Sequence, residues 1–183
     1  MFVISGPSGG GKTTVVTRLL RRLPRLVRSV SVTTRAPRWG ERHGRDYHFV
    51  SPAGFERLQR SGALLEWATV HGASYGTPKA PVMQALERGR DVVLSIDVRG
   101  ARQIRRALGR RAVLVFLLPP SIQCLRERLL RRQTDTPEAV RRRLAAAVRE
   151  LACASWYDQA VINDRLTQTI RDVMAIIVGQ RKG

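Results

Sequence analysis

Apolar positions follow two rhythms along the chain. Phe2-Val3-Ile4 is a short unbroken apolar run ended by a glycine-rich turn. Over residues 12–23, Val15, Val16, Leu19, Leu20 and Leu23 recur on one helical face, and Pro24 stops the pattern. Asp91–Asp97 and Ala112–Leu118 are again near-continuous apolar runs, the pattern of central parallel strands covered on both faces. Between them Ala101, Ile104 and Leu108 predict a helix over 100–108. Ser121 suits the N-cap of a helix carrying Ile122, Leu125 and Leu129. Thr136-Pro137-Glu138 opens another, with Pro137 at its first position and Val140, Leu144, Val148 and Leu151 on its apolar face. Ala160-Val161-Ile162 reads as a short strand and 165–178 as a last amphipathic helix.

Strand and helix thus alternate, which predicts an α/β fold with a parallel sheet between two helical layers. Residues 31–77 break the alternation with glycines, prolines, strand-like pieces at Tyr47–Val50 and Leu64–Val70, and a short helix near Phe55 and Leu58. Such a stretch reads as an inserted, partly antiparallel substrate-binding subdomain, placed at 31–80. Residues 126–143 hold many arginines and few large apolar side chains, which suits a small exposed lid. The 183 residues make one domain.

Composition adds a strong positive charge. The net charge is +19, and of 33 basic residues only Lys12, Lys79 and Lys182 are lysine. That balance attracts polyanions generally. The arginines are spread over several predicted helices with no nucleic-acid-binding motif beside them, so they read as a solvated surface around a site for phosphorylated substrates. No specific nucleic-acid or membrane partner is expected; no apolar run approaches the ~20 residues of a membrane helix. The N-terminus lacks the charge and length of a signal peptide, so a cytoplasmic enzyme is expected. Cys124 and Cys153 fall on predicted helices, outside any CxxC or His/Cys cluster, and read as free thiols.

The first chemistry-bearing motif is Gly6-Pro7-Ser8-Gly9-Gly10-Gly11-Lys12-Thr13, which fits G-x-x-x-x-G-K-[ST] between a strand and a helix. Glycines let backbone N–H groups turn toward phosphate oxygens, and the helix N-terminus favours negative charge. Lys12 can reach the β- and γ-phosphates, Thr13 can offer its hydroxyl to Mg²⁺, and Thr14 completes the ATP-binding run. The motif names a nucleoside triphosphate but not the acceptor.

The acceptor is read from Ser31 to Phe49, dense in groups that grip phosphate. Arg35 and Arg38 could fork onto one phosphate from a loop stiffened by Pro37, with Tyr47 adding a phenolic hydrogen bond. The pattern Ser-x-Thr-Thr-Arg-x-Pro-Arg-x-Gly-Glu-x-x-Gly-x-Asp-Tyr-x-Phe resembles the signature of guanylate kinases. The resemblance continues through Leu65–Ala68, Tyr75–Thr77, Ile96–Gly100, Arg132–Thr136, Arg143-Leu144 and Val161–Asp164, and so covers essentially the whole chain. It implies a P-loop NTPase three-layer fold with an inserted mixed α+β NMP-binding subdomain and an arginine-rich lid. It also implies transfer of the γ-phosphate of ATP to GMP, with Mg²⁺ as cofactor.

Site roles follow from the same resemblance. Arg35, Arg38 and Tyr47 would hold the GMP phosphate, helped by Tyr75, while Ser31, Glu66, Thr77 and Asp97 would read the guanine. Guanine offers N1–H and N2–H₂ donors side by side, so one carboxylate accepts from both; adenine presents no such pair. By strand alternation Glu66 shares a face with Leu64, Ala68 and Val70. Arg132 and Arg143 match lid arginines that meet the transferring phosphoryl group, alongside Lys12 and Arg35. Asn163 is set toward the adenine of ATP, with a helix cap at Asn163 or Asp164 as the alternative. Two positions depart from the family pattern: Ser95 stands where an acidic residue tied to magnesium is usual, and Gln133 where glycine is frequent. Two other readings stay open: a catalytically silent module of the same family that binds phosphopeptides, and a kinase for another small phosphorylated acceptor.

Overall fold

The computed structural model describes residues 1–70, 72–131 and 136–181. Its centre is a sheet of five parallel strands: β1 (Phe2–Ser5), β2 (Leu26–Arg28), β7 (Asp91–Ser95), β8 (Val113–Leu118) and β9 (Gln159–Ile162), in the order β2-β7-β1-β8-β9. The apolar runs become the middle of this sheet because both faces are covered. On one side Ile4, Val93, Val115 and Leu117 pack with helices α1 (Lys12–Arg22) and α7 (Leu166–Gly179) through Val15, Leu19, Ile170 and Ile177. On the other, Val3, Leu94, Leu114 and Phe116 pack with α4 (Val98–Leu108) through Ala101 and Ile104. Phe116 is wholly buried, a contribution of roughly 2–3 kcal/mol from area removed from water.

A second sheet, in the order β4-β3-β6-β5, stands apart from the first: β3 (Val32–Thr33), β4 (His48–Phe49), β5 (Leu64–Val70) and β6 (Ala73–Pro78). β3 and β4 run parallel; β6 runs antiparallel to both β3 and β5. This mixed sheet, with α2 (Pro52–Arg60) capped by the Ser51 hydroxyl, is the insert expected from the broken alternation. Strands β3 and β6 of this sheet, β2 of the central one and the helix α3 (Lys79–Glu87) escape the sequence reading.

Helices α5 (Ile122–Leu130) and α6 (Pro137–Leu151) form a small unit with its own apolar cluster of Leu125, Leu129, Val140 and Ala147. The hydroxyls of Ser121 and Thr136 cap them as their sequences predict, accepting from the N–H groups of Cys124 and Ala139. Val148 corrects the apolar face expected of α6: it is exposed, and Ala147 takes the buried place beside it. Cys153 lies just past α6 rather than within it. Both cysteines are free and half-buried. No helix among the described residues is long and apolar enough to cross a membrane.

Candidate active site

Strand β1 delivers the chain into the glycine-rich loop, and the loop's shape depends on specific glycines. Gly6, Gly9 and Gly11 hold φ of +141°, +84° and +87°, where side chains are strained. A β-carbon at Gly6 would also stand 2.5 Å from the Leu117 carbonyl oxygen. Gly11 leads into α1 with no side-chain cap, so the first-turn N–H groups are left to the cleft in front of them. Lys12 folds back over the loop, its Nζ donating to the carbonyls of Gly6 at 2.6 Å and Pro7 at 3.0 Å.

Asn163 completes the loop from behind. Its Nδ2 donates to the Gly10 carbonyl at 2.7 Å, and its Oδ1 accepts from the Thr169 hydroxyl at 3.1 Å. It is buried, and it does not cap α7, whose cap position is Arg165. The cap alternative is thereby replaced: Asn163 is a pin between β9, α7 and the phosphate loop.

A cleft of about 440 Å³ runs from the loop to the insert. On the loop side it is lined by Gly6, Ser8, Gly9, Gly11, Lys12, Thr13 and Thr14. On the insert side it is lined by Ser31, Arg35, Arg38, Tyr47, Glu66 and Tyr75. Asp97 and Ser95 enter from the end of β7 and the turn after it, and Arg143 from α6. Pro7, Gly10, Thr77 and Asn163 stand behind this lining. Arg132 lies outside the described residues, as do Gln133 and Asp135.

Arginine geometry on the insert is set by a carboxylate that the sequence reading left unassigned. Glu41 accepts from Arg35 Nη2 at 2.9 Å through each oxygen, and from the Arg38 backbone N–H at 2.7 Å. Arg35 also lies over the Tyr47 ring, 5.4 Å from its centroid, and Tyr47 meets Tyr75 edge-on. Burial pushes the Tyr47 phenol above its usual range, so it stays a neutral donor.

Glu66 occupies the inner wall, 4% exposed, between β5 and α4. Its Oε1 accepts from the Thr77 hydroxyl at 2.6 Å. Burial raises its carboxyl to about 7, against the pull of that hydroxyl and with a further push from Asp97. The edge of β5 beside it is tied to α4: Trp67 donates its N–H to Gln103 Oε1 at 3.1 Å, and Gln103 Nε2 donates to the Trp67 carbonyl at 2.6 Å. Asp97 caps α4, accepting from the Gly100 N–H at 2.9 Å.

Glu150 is a further lining residue that the sequence reading missed. Burial pushes its carboxyl up, while Lys12 and a hydrogen bond from the Ser8 N–H pull the other way. The available signal was spacing: Glu150 follows Arg143 by two helical turns, which puts both on one face of α6.

The guanylate kinase family model matches residues 1–180. The chain belongs to the guanylate kinase family. The guanylate kinase of Carboxydothermus hydrogenoformans is 44% identical, covering 99% of this chain and 88% of its own length. That of Oleidesulfovibrio alaskensis is 49% identical, over 96% and 84% of the two chains. Among solved structures, a guanylate kinase from Anaplasma phagocytophilum superposes with a TM-score of 0.83 at 32% identity, over 98% of this chain and 85% of that one.

Proposed function

We infer that this chain transfers the γ-phosphate of ATP to GMP, yielding ADP and GDP. The observation that carries the reading is one cleft with two unlike ends. At one end lies the phosphate loop; at the other, clustered arginines and tyrosines stand beside a buried glutamate. ATP would lie on Gly6–Thr14, with Lys12 exchanging its carbonyl partners for phosphate oxygens. Arg35, Arg38, Tyr47 and Tyr75 would hold the GMP phosphate. Glu66, supported by Thr77 and with Ser31 and Asp97 nearby, would accept from the guanine N1–H and N2–H₂. Asn163 would act on ATP through the loop it pins.

Phosphoryl transfer asks little covalent chemistry of the protein; it needs two phosphates in line and their charge neutralised. Arg143, with Arg132 from the proposed lid over 126–143, would supply that charge as the proposed GMP-binding subdomain over 31–80 closes. No enzyme-bound intermediate is needed. Among the described residues no cluster of His, Cys, Asp or Glu could hold a metal by itself. Thr13 and Ser95 are oxygen donors along the cleft, a donor set that fits magnesium arriving on the triphosphate. When bound, magnesium would offset charge on the β- and γ-phosphates. An intracellular role in purine nucleotide supply suits this chemistry.

The test is an acceptor panel in a coupled ADP-release assay: GMP, dGMP, AMP and ribose 1,5-bisphosphate. Turnover with GMP and, more weakly, dGMP is expected, with AMP and the bisphosphate near background. Silence with GMP would overturn the reading and favour the binding-module alternative; turnover of the bisphosphate instead would favour another acceptor.

A further inference from the structure

Resting on the role proposed above for Glu66, we propose that Gly100 is a positioning residue for guanine recognition. By lacking a side chain it leaves the Glu66 carboxylate its seat. Glu66 stands between two fixed partners: the Thr77 hydroxyl, 2.6 Å from Oε1, and the first turn of α4, against which Oε2 lies. A β-carbon on Gly100 would overlap Oε2 and stand 3.0 Å from Glu66 Cδ and 3.3 Å from Ile96 Cδ1.

Neither wall can retreat. Gly100 is held by its N–H bond to Asp97, and its neighbour Ala101 is wholly buried in the core. One turn on, Gln103 grips the backbone of Trp67 on both sides, so β5 is fastened to the same helix. Relief therefore falls on the flexible end of Glu66, whose carboxylate must leave the position in which it bonds Thr77 and faces the cleft. Gly100 itself has ordinary helical backbone, so alanine there brings no strain, and alanine is favoured over glycine within helices. A purely structural glycine predicts a fold that weakens on substitution; this one predicts a fold that holds while base preference fails.

The experiment measures kinetics and calorimetric affinity for wild type, Gly100→Ala, Glu66→Ala and the double variant, with GMP and IMP as acceptors. IMP has the guanine frame without the 2-amino group. Gly100→Ala is expected to raise the KM for GMP about tenfold or more, in line with loss of a charged hydrogen bond. The GMP-over-IMP preference should fall by about the same factor, with the KM for ATP unchanged and the melting temperature lowered no further than in Thr77→Val, which loses the same bond. In the Glu66→Ala background the same substitution should change GMP affinity less than about twofold, because the two residues act as one unit. An undiminished preference in Gly100→Ala, or an equal loss in both backgrounds, overturns the proposal. Should Glu66→Ala alone keep full preference for GMP over IMP, the guanine role of Glu66 falls, and the positioning role with it. Gly100→Ser, placing a larger group at the same point, should deepen the loss; recovery there would equally count against the proposal.

Discussion

Thr77 and Glu66 face each other across the β5–β6 ladder, and the threonine hydroxyl donates to the glutamate at 2.6 Å inside a buried pocket. A buried carboxylate with one donor among the described residues depends heavily on it. Thr77→Val keeps the shape and removes the donor. At pH 8 it should cost about 1.5–3 kcal/mol in urea unfolding and raise the KM for GMP. At pH 5, where Glu66 is protonated, the stability loss should shrink.

The raised Glu66 carboxyl also sets a pH dependence of stability. Its folded value of about 7 lies above the ordinary 4.5. Between these values the folded state holds a proton that the unfolded chain has released, so stability falls as pH rises. The full penalty is reached above pH 7 and amounts to about 3 kcal/mol at about 1.4 kcal/mol per pH unit. Glu66→Gln should flatten this segment of the stability curve, measured by urea unfolding from pH 4 to 8. A curve unchanged by the substitution would contradict the assignment. Guanine donors favour the charged carboxylate, so GMP binding near pH 7 should release protons from wild type beyond those released from Glu66→Gln, read from calorimetry in two buffers of different ionisation enthalpy.

Lys12 already bonds two loop carbonyls, at 2.6 and 3.0 Å, so its ammonium is held at the phosphate seat. Lys12→Met should lower kcat by about 10²–10³, the scale of removing one electrostatic stabiliser of a transferring group. GMP affinity should stay within about twofold, since its proposed contacts lie on the other side of the cleft. Normal turnover would refute the role given to the loop.

Asn163 is buried with both amide atoms engaged, so its loss leaves the Gly10 carbonyl short of a partner, while the Thr169 hydroxyl keeps the carbonyls of Ile162 and Arg165. Asn163→Ala should cost about 1–3 kcal/mol of stability and raise the KM for ATP several-fold. GMP affinity measured without ATP should not move. An ATP KM equal to wild type would show that the loop keeps its form without the pin.

Residues with strong periodic or motif signals were legible from sequence. Val3, Leu94, Leu114 and Phe116 announce buried parallel strands because water is excluded from both faces. Ser121 and Thr136 announce helix starts because a hydroxyl there meets an otherwise unbonded N–H. What was not legible depends on distant parts of the chain. Strand β6, Ala-Ser-Tyr-Gly-Thr-Pro, has little apolar alternation and becomes a strand by pairing with β3 and β5 on either side. Val148 sits on the apolar stripe by spacing, yet α6 packs on α5 through Ala147, whose small side chain lets the helices approach. Glu41 carries no role that local sequence assigns, and only the folded loop turns it back onto Arg35 and Arg38.

The bond from Asn163 to Gly10 spans 153 residues of sequence. On a ribosome the glycine turn emerges well before Asn163 does, and it lacks this tether until that residue has been made. A nascent chain thus carries an unfinished ATP seat until β9 has emerged, which makes nucleotide capture wait on a strand translated long after the loop itself.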